Sequence, residues 1–159
     1  MTELIFATNN AHKLAEVEAV LGDRFRLLTP RGCGITEEIP EEQPTLEGNA
    51  LQKARYIHER TGRDCFADDT GLEVEALGGA PGVHSARYTG RHDDTDAARN
   101  DLLLHNLGAR TDRTARFVSC ICCTFPNGDV LRARGTCEGS ILSVSYTHLR
   151  AHETLANLV

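Results

Sequence analysis

An α/β fold on a mixed sheet is what this sequence predicts, on three observations. Strand-like and helix-like segments alternate through the first two-thirds of the chain, a β-hairpin signature follows, and no internal repeat is evident. Leu4–Ala7 is a short apolar run, and Thr8-Asn9-Asn10 breaks it with residues suited to a helix start. Between Lys13 and Leu21 the apolar residues Leu14, Val17, Val20 and Leu21 recur at helical spacing, with Glu16 and Glu18 off the stripe and Gly22 as a stop. Arg24 to Leu28 reads as a second strand, followed by Pro30, Gly32, Gly34 and an acidic loop from Glu37 to Glu42. Leu46 to Arg60 is a second helix carrying Leu51, Ala54, Tyr56 and Ile57, with Thr61-Gly62 ending it. Cys65-Phe66-Ala67 is a buried strand that places Asp68-Asp69-Thr70-Gly71 at its end. The cluster Gly78-Gly79-Ala80-Pro81-Gly82 makes a further loop. Asp94 to Leu107 is a third helix, with Ala97, Leu102, Leu103 and Leu107 as core positions. Phe117–Thr124 and Val130–Arg134 then form a hairpin around Pro126-Asn127-Gly128-Asp129.

Composition narrows the class of function. With 159 residues, 40% of them hydrophobic, the chain is long enough for one domain with a real core. It contains no apolar run of membrane-spanning length, and Met1–Ala7 lacks the basic and apolar regions of a secretory signal, so a cytoplasmic protein that does not enter a membrane is expected. Seventeen Lys and Arg against twenty-three Asp and Glu leave a net charge of −6, which argues against a grip on a long nucleic-acid backbone. Six cysteines without an export signal do not suggest a disulfide framework. Cys120, Cys122 and Cys123 lie in the apolar run Phe117–Phe125, where thiols pack as small hydrophobes. A zinc module would have to recruit Cys137 or a histidine, and no pair of Cys-x-x-Cys knuckles exists.

Two segments carry chemistry. Thr8-Asn9-Asn10-Ala11-His12-Lys13 joins a strand to a helix, where backbone N–H groups and the helix dipole favour an anion and Lys13 adds a full charge. An ordinary N-cap would show the same residues, and the glycine spacing of a Walker loop is missing. Adjacent carboxylates at Asp68 and Asp69 are hard to keep ionised without a cation, and a hard, oxygen-seeking ion such as Mg²⁺ answers that need. An Asp-rich turn is the plainer alternative. Glu41 or Glu42, Lys53 and Arg87 complete a set in which carboxylates hold metal and cations hold phosphate.

Four spaced motifs then give a specific resemblance. Phe6–Lys13, Thr45–Ala50 with Lys53-Ala54, Ala67–Leu72, and Gly78–Gly82 with Ser85-Ala86-Arg87-Tyr88 stand in the order found in the inosine triphosphate pyrophosphatase family, which this chain resembles over residues 1 to about 142. The resemblance implies hydrolysis of ITP, dITP or XTP to the monophosphate and pyrophosphate, assisted by Mg²⁺, by a homodimer with a cleft between two lobes. It assigns Asp69 as proton acceptor and metal ligand. Glu41 is the second metal ligand, with Asp68 as an assisting carboxylate. Thr8, Asn9, Asn10, Lys13, Lys53, Thr70 and Arg87 are assigned to substrate. The Maf-like nucleotide pyrophosphatases resemble the chain less, since their opening motif has Ser and Arg where Asn10 and Lys13 stand.

The C-terminal end departs from the family pattern. The family follows the strand ending near Gly139-Ser140-Ile141 with Gly-Phe-Gly-Tyr-Asp-Pro and later Ser-His-Arg, which recognise the base, and neither occurs here. Instead, Val144–Thr154 back-translates to a string resembling a sequencing-library adapter, so residues 1–143 read as a pyrophosphatase domain with an incomplete second lobe and 144–159 as a non-native tail. His148 and His152, at i, i+4, could otherwise be read as a metal pair. A non-catalytic nucleotide- or phosphate-binding fragment remains the alternative.

Overall fold

The computed structural model describes residues 1–91 and 95–142, so the tail from Val144 onward lies outside the described residues. The elements are β1 (Thr2–Phe6), α1 (Ala11–Leu21), β2 (Phe25–Leu28), α2 (Leu46–Thr61), β3 (Cys65–Val74), β4 (Pro81–Gly82), α3 (Asp96–Leu107), β5 (Thr114–Thr124) and β6 (Val130–Ser140). The strands form one mixed sheet in the order β2-β1-β3-β5-β6, with β4 on β3. β1 is parallel to β2 and to β3, whereas β4 is antiparallel to β3. No helix among the described residues is long and apolar enough to cross a membrane.

The chain divides into two compact units. Among the described residues, the first holds Met1–Asp69 and Cys120–Arg134, and the second holds Thr70–Ser119 and the stretch from Gly135 to Leu142.

In the first unit, the register Ile5↔Cys65 and Phe6↔Phe66 sets which residues share a face. Successive strand side chains point to opposite faces. Ile5, Ala7, Cys65 and Ala67 pack with Ala54 and Ile57 of α2 into one core. Phe6 and Phe66, on the other parity, stack in parallel with ring centroids 4.5 Å apart. Thr45 caps α2 by accepting from the Gly48 amide, and Gly62 ends it in the left-handed conformation at φ 65°. Replacing Ile57, which is fully buried, by Ala is expected to cost roughly 2–5 kcal/mol in urea denaturation. Val20→Ala on α1 should stay within about 0.5 kcal/mol, because that side chain is 78% exposed.

In the second unit, Leu72, Val74, Leu103, Leu107, Ala115 and Ile141 form the core. Ser85 ties its glycine-rich loop to β3, accepting from the Leu72 amide at 2.8 Å and donating to the Gly82 carbonyl at 2.6 Å.

Several boundaries differ from expectation. β3 runs on through Asp68–Gly71 to Val74, so the two aspartates lie within a strand rather than at its end. β5 and β6 are longer than the expected hairpin arms, and their turn is closed by Phe125 N–H donating to the Asp129 carbonyl. α1 buries no residue fully. Leu14, Val17 and Leu21 are half-buried, while Val20 lies off their arc at about 100° per residue. In α3 the buried face is Asn100, Leu103 and Leu107, so Ala97 is exposed and Leu102 only half-buried.

Candidate active site

The first unit brings the expected lysines and carboxylates together on the β3 segment Asp68-Asp69. Because β3 is pleated there, the neighbours diverge. Asp68 accepts from the Lys13 ammonium of α1 at 2.8 Å, whereas Asp69 accepts from the Asn49 carboxamide of α2 at 3.1 Å. Asp69 thus shares parity with Ala67 and Cys65, on the face packed by α2. The expected trio of Glu41, Asp68 and Asp69 is not assembled, and no group of three or more metal-ligating side chains occurs among the described residues.

Glu41 and Glu42 separate in the same way. Glu41 accepts from Lys53 at 2.9 Å, on a lysine whose side chain is only 7% exposed. Glu42 turns to Gln52, whose Oε1 accepts the Glu42 amide at 2.9 Å. Farther back on the loop, Glu37 accepts from the Tyr56 hydroxyl at 3.1 Å and lies 3.4 Å from Arg60. The Arg60 guanidinium covers the Tyr56 ring at 3.4 Å. The acidic loop is therefore pinned along α2, and the pinning aims Glu41 inward.

Burial pushes the Asp69 carboxyl above its ordinary range. Lys53 opposes the rise, Glu41 adds to it, and the Asn49 hydrogen bond and Lys13 hold it back. A half-buried carboxyl poised upward, with a second carboxylate close enough to be felt, is suited to accept a proton. It is also a place where a divalent cation relieves repulsion. Mg²⁺ is commonly bound through one or two carboxylates plus substrate phosphates, so Glu41 and Asp69 fit that donor chemistry without a third protein ligand.

Around the loop after β1, the helix start is self-capped. Asn10 Oδ1 accepts from the His12 and Lys13 amides at 2.9 and 3.2 Å, and Thr8 Oγ1 accepts from the Asn10 amide at 3.1 Å. These amides are engaged within the turn, as an ordinary N-cap has them. A small cavity of about 190 Å³ opens beside it, lined by Thr8, Asn9, Asn10, Ala11, Leu14, Thr29 and Arg31. Arg31 and Asn49 were not expected from sequence. Arg31 follows Pro30 in what reads as a bare turn, and Asn49 looks like any polar residue inside a helix.

Thr70 and Arg87 belong to the second unit. The Thr70 hydroxyl donates to Ser119 Oγ at 3.0 Å, and Arg87 closes the short helical turn Ser85–Arg87. The cysteines are all free thiols. Cys65 and Cys122 are fully buried, and burial pushes the Cys65 thiol up to about 12, so packing accounts for them.

Comparison with known proteins adds a second line of observation. The Ham1 family profile matches residues 4–148. A dITP/XTP pyrophosphatase of Flavobacterium psychrophilum is 44% identical over 141 residues, covering 88% of this chain and 73% of its own length. The Ham1 protein of Staphylococcus aureus superposes with a TM-score of 0.81 at 33% identity, over 91% of this chain and 74% of that one. A nucleoside-triphosphatase described as a dITP/XTP pyrophosphatase, from Mycobacterium abscessus, superposes with a TM-score of 0.76 at 40% identity, over 91% and 76%.

Proposed function

This chain belongs to the Ham1 family, and from that membership we propose that it hydrolyses non-standard purine nucleoside triphosphates, ITP, dITP and XTP, to the monophosphate and pyrophosphate. The observation that carries the proposal is the buried Lys53, paired with the part-exposed Glu41, set beside a half-buried Asp69 whose carboxyl is raised.

In this scheme Asp69 takes a proton from water as the water oxygen attacks the α-phosphorus. The α–β bridging bond breaks and pyrophosphate leaves with the electron pair. Lys13 and Lys53 hold the triphosphate, each exchanging its present carboxylate for phosphate oxygens. Thr8, Asn9 and Asn10 line the cavity that would receive the substrate's near end. Thr70 and Arg87 remain substrate contacts expected from the family motifs. Glu41 and Asp69 would hold Mg²⁺, which when bound neutralises polyphosphate charge. The same proposal places a homodimer in the cytoplasm.

Incubating the chain with XTP, dITP and ATP, with Mg²⁺ or with EDTA, and resolving the phosphate products tests this. Pyrophosphate and monophosphate in equal amounts from XTP, lost in EDTA, is the expected result. Orthophosphate as first product, or turnover indifferent to EDTA, contradicts it.

A further inference from the structure

We propose that Asn49 is a positioning residue whose carboxamide bridges the acidic loop to Asp69, and so fixes the spacing between Glu41 and the Asp69 carboxylate. The inference rests on the hydrolase reading above for its kinetic consequences, but the bridge itself is a matter of geometry. Asn49 is 4% exposed, in the first turn of α2. Its Oδ1 accepts the Gln43 amide at 2.8 Å, and its Nδ2 donates to Asp69 Oδ2 at 3.1 Å. Those partners allow only one orientation of the amide, because an N–H must meet an acceptor and a carboxylate must meet a donor. Lys53 stands one turn further along the same helix and grips Glu41 of the same loop. Two residues of α2, four apart, thus hold the loop through its backbone at Gln43 and through its side chain at Glu41.

Side chains of similar size serve this position poorly. Aspartate could accept from Gln43 but could not donate to Asp69, and would set carboxylate against carboxylate. Leucine matches the shape and loses both ends, leaving the Gln43 amide and one Asp69 oxygen without that partner. Glutamine adds a methylene in a buried site and would push the loop away from β3. A loop displaced by about 1 Å is enough to cost on the order of 10²-fold in rate when it carries a group the reaction needs.

Two variants divide the bridge. In Asn49→Leu, amide hydrogen exchange at Gln43 should rise about tenfold or more while the α2 interior keeps its protection, and kcat should fall about 30-fold or more with KM changed less than about threefold. In Asn49→Asp, Gln43 should stay protected, because the acceptor is kept, yet kcat should fall comparably because the donor to Asp69 is lost. Gln43 exchange unchanged in Asn49→Leu, or Asn49→Asp turning over at near the wild-type rate, overturns the proposal. If Asn49→Leu does not fold, Asn49→Asp decides. If the wild-type chain releases no pyrophosphate, the hydrolase reading fails by itself, and Gln43 exchange then upholds or overturns the bridge.

Discussion

Asp69→Asn is expected to lower kcat for pyrophosphate release by about 10³-fold or more, because under the proposed mechanism one substitution removes both the proton acceptor and a ligand for Mg²⁺. The fold should survive, since an asparagine side chain can still accept the Asn49 hydrogen bond. Stability should move in the opposite direction to activity. Burial holds the folded-state pKa of Asp69 above its unfolded value. A raised carboxyl contributes stability that is complete below the unfolded pKa and is lost as pH rises through the folded one. At neutral pH the ionised carboxyl is therefore a net cost, which the neutral amide avoids. Thermal unfolding in EDTA should show the variant at or above wild type at pH 7, with the gap closing toward about pH 4 as wild-type Asp69 takes up its proton. A gap that widens on acidification, or a near-normal kcat, would remove Asp69 from its role.

Lys53→Met should produce the second-largest loss. It takes the charge from a buried site while keeping the length of the stem. Glu41 loses its ion-pair partner, and Asp69 loses the group that most opposes the upward shift of its carboxyl. A fall of about 10²-fold in kcat/KM for XTP is expected, with KM bearing much of it, since the phosphate-holding cation of the proposed mechanism acts in ground and transition states alike. Stability should drop by about 1–2 kcal/mol, less than the ~3–5 kcal/mol for breaking a fully buried pair, because Glu41 is part-exposed and can turn to water. Lys53→Arg should restore little: the planar fork is bulkier than an ammonium and points its donors differently. Full activity in Lys53→Arg would show that only the charge matters there.

Much of this was legible in the chain. β1, α1 and α2 follow from apolar spacing and caps, and the Asn-Gly turn announced the β5–β6 hairpin. What sequence misjudged was the extent of β3. Asp-Asp-Thr-Gly has the propensity of a turn, but tertiary pairing continued the strand through it. That error hid the divergence of Asp68 from Asp69. Local sequence also could not choose between Glu41 and Glu42, because the choice is made by where Lys53 and Gln52 emerge on α2. Asn49 was silent for the same reason: its partners lie 6 and 20 positions away in the chain.

The stacked Phe6 and Phe66 have a bearing on which aspartate faces α2. On the α2 side of this strand pair Ala7, Cys65 and Ala67 pack with Ile5 against Ala54 and Ile57, with no ring among them, while both bulky rings sit on the opposite parity. If β3 slipped by one residue against β1, Phe66 would be driven into the alanine-lined side, and Asp68 would take the place of Asp69 beneath Asn49. Such a slip is penalised by overpacking long before any substrate is present. Steric proofreading of strand phase thus guards which carboxylate stands beneath Asn49. Substitutions that shrink Phe66 or enlarge Ala67 would be felt as errors of address as well as losses of packing.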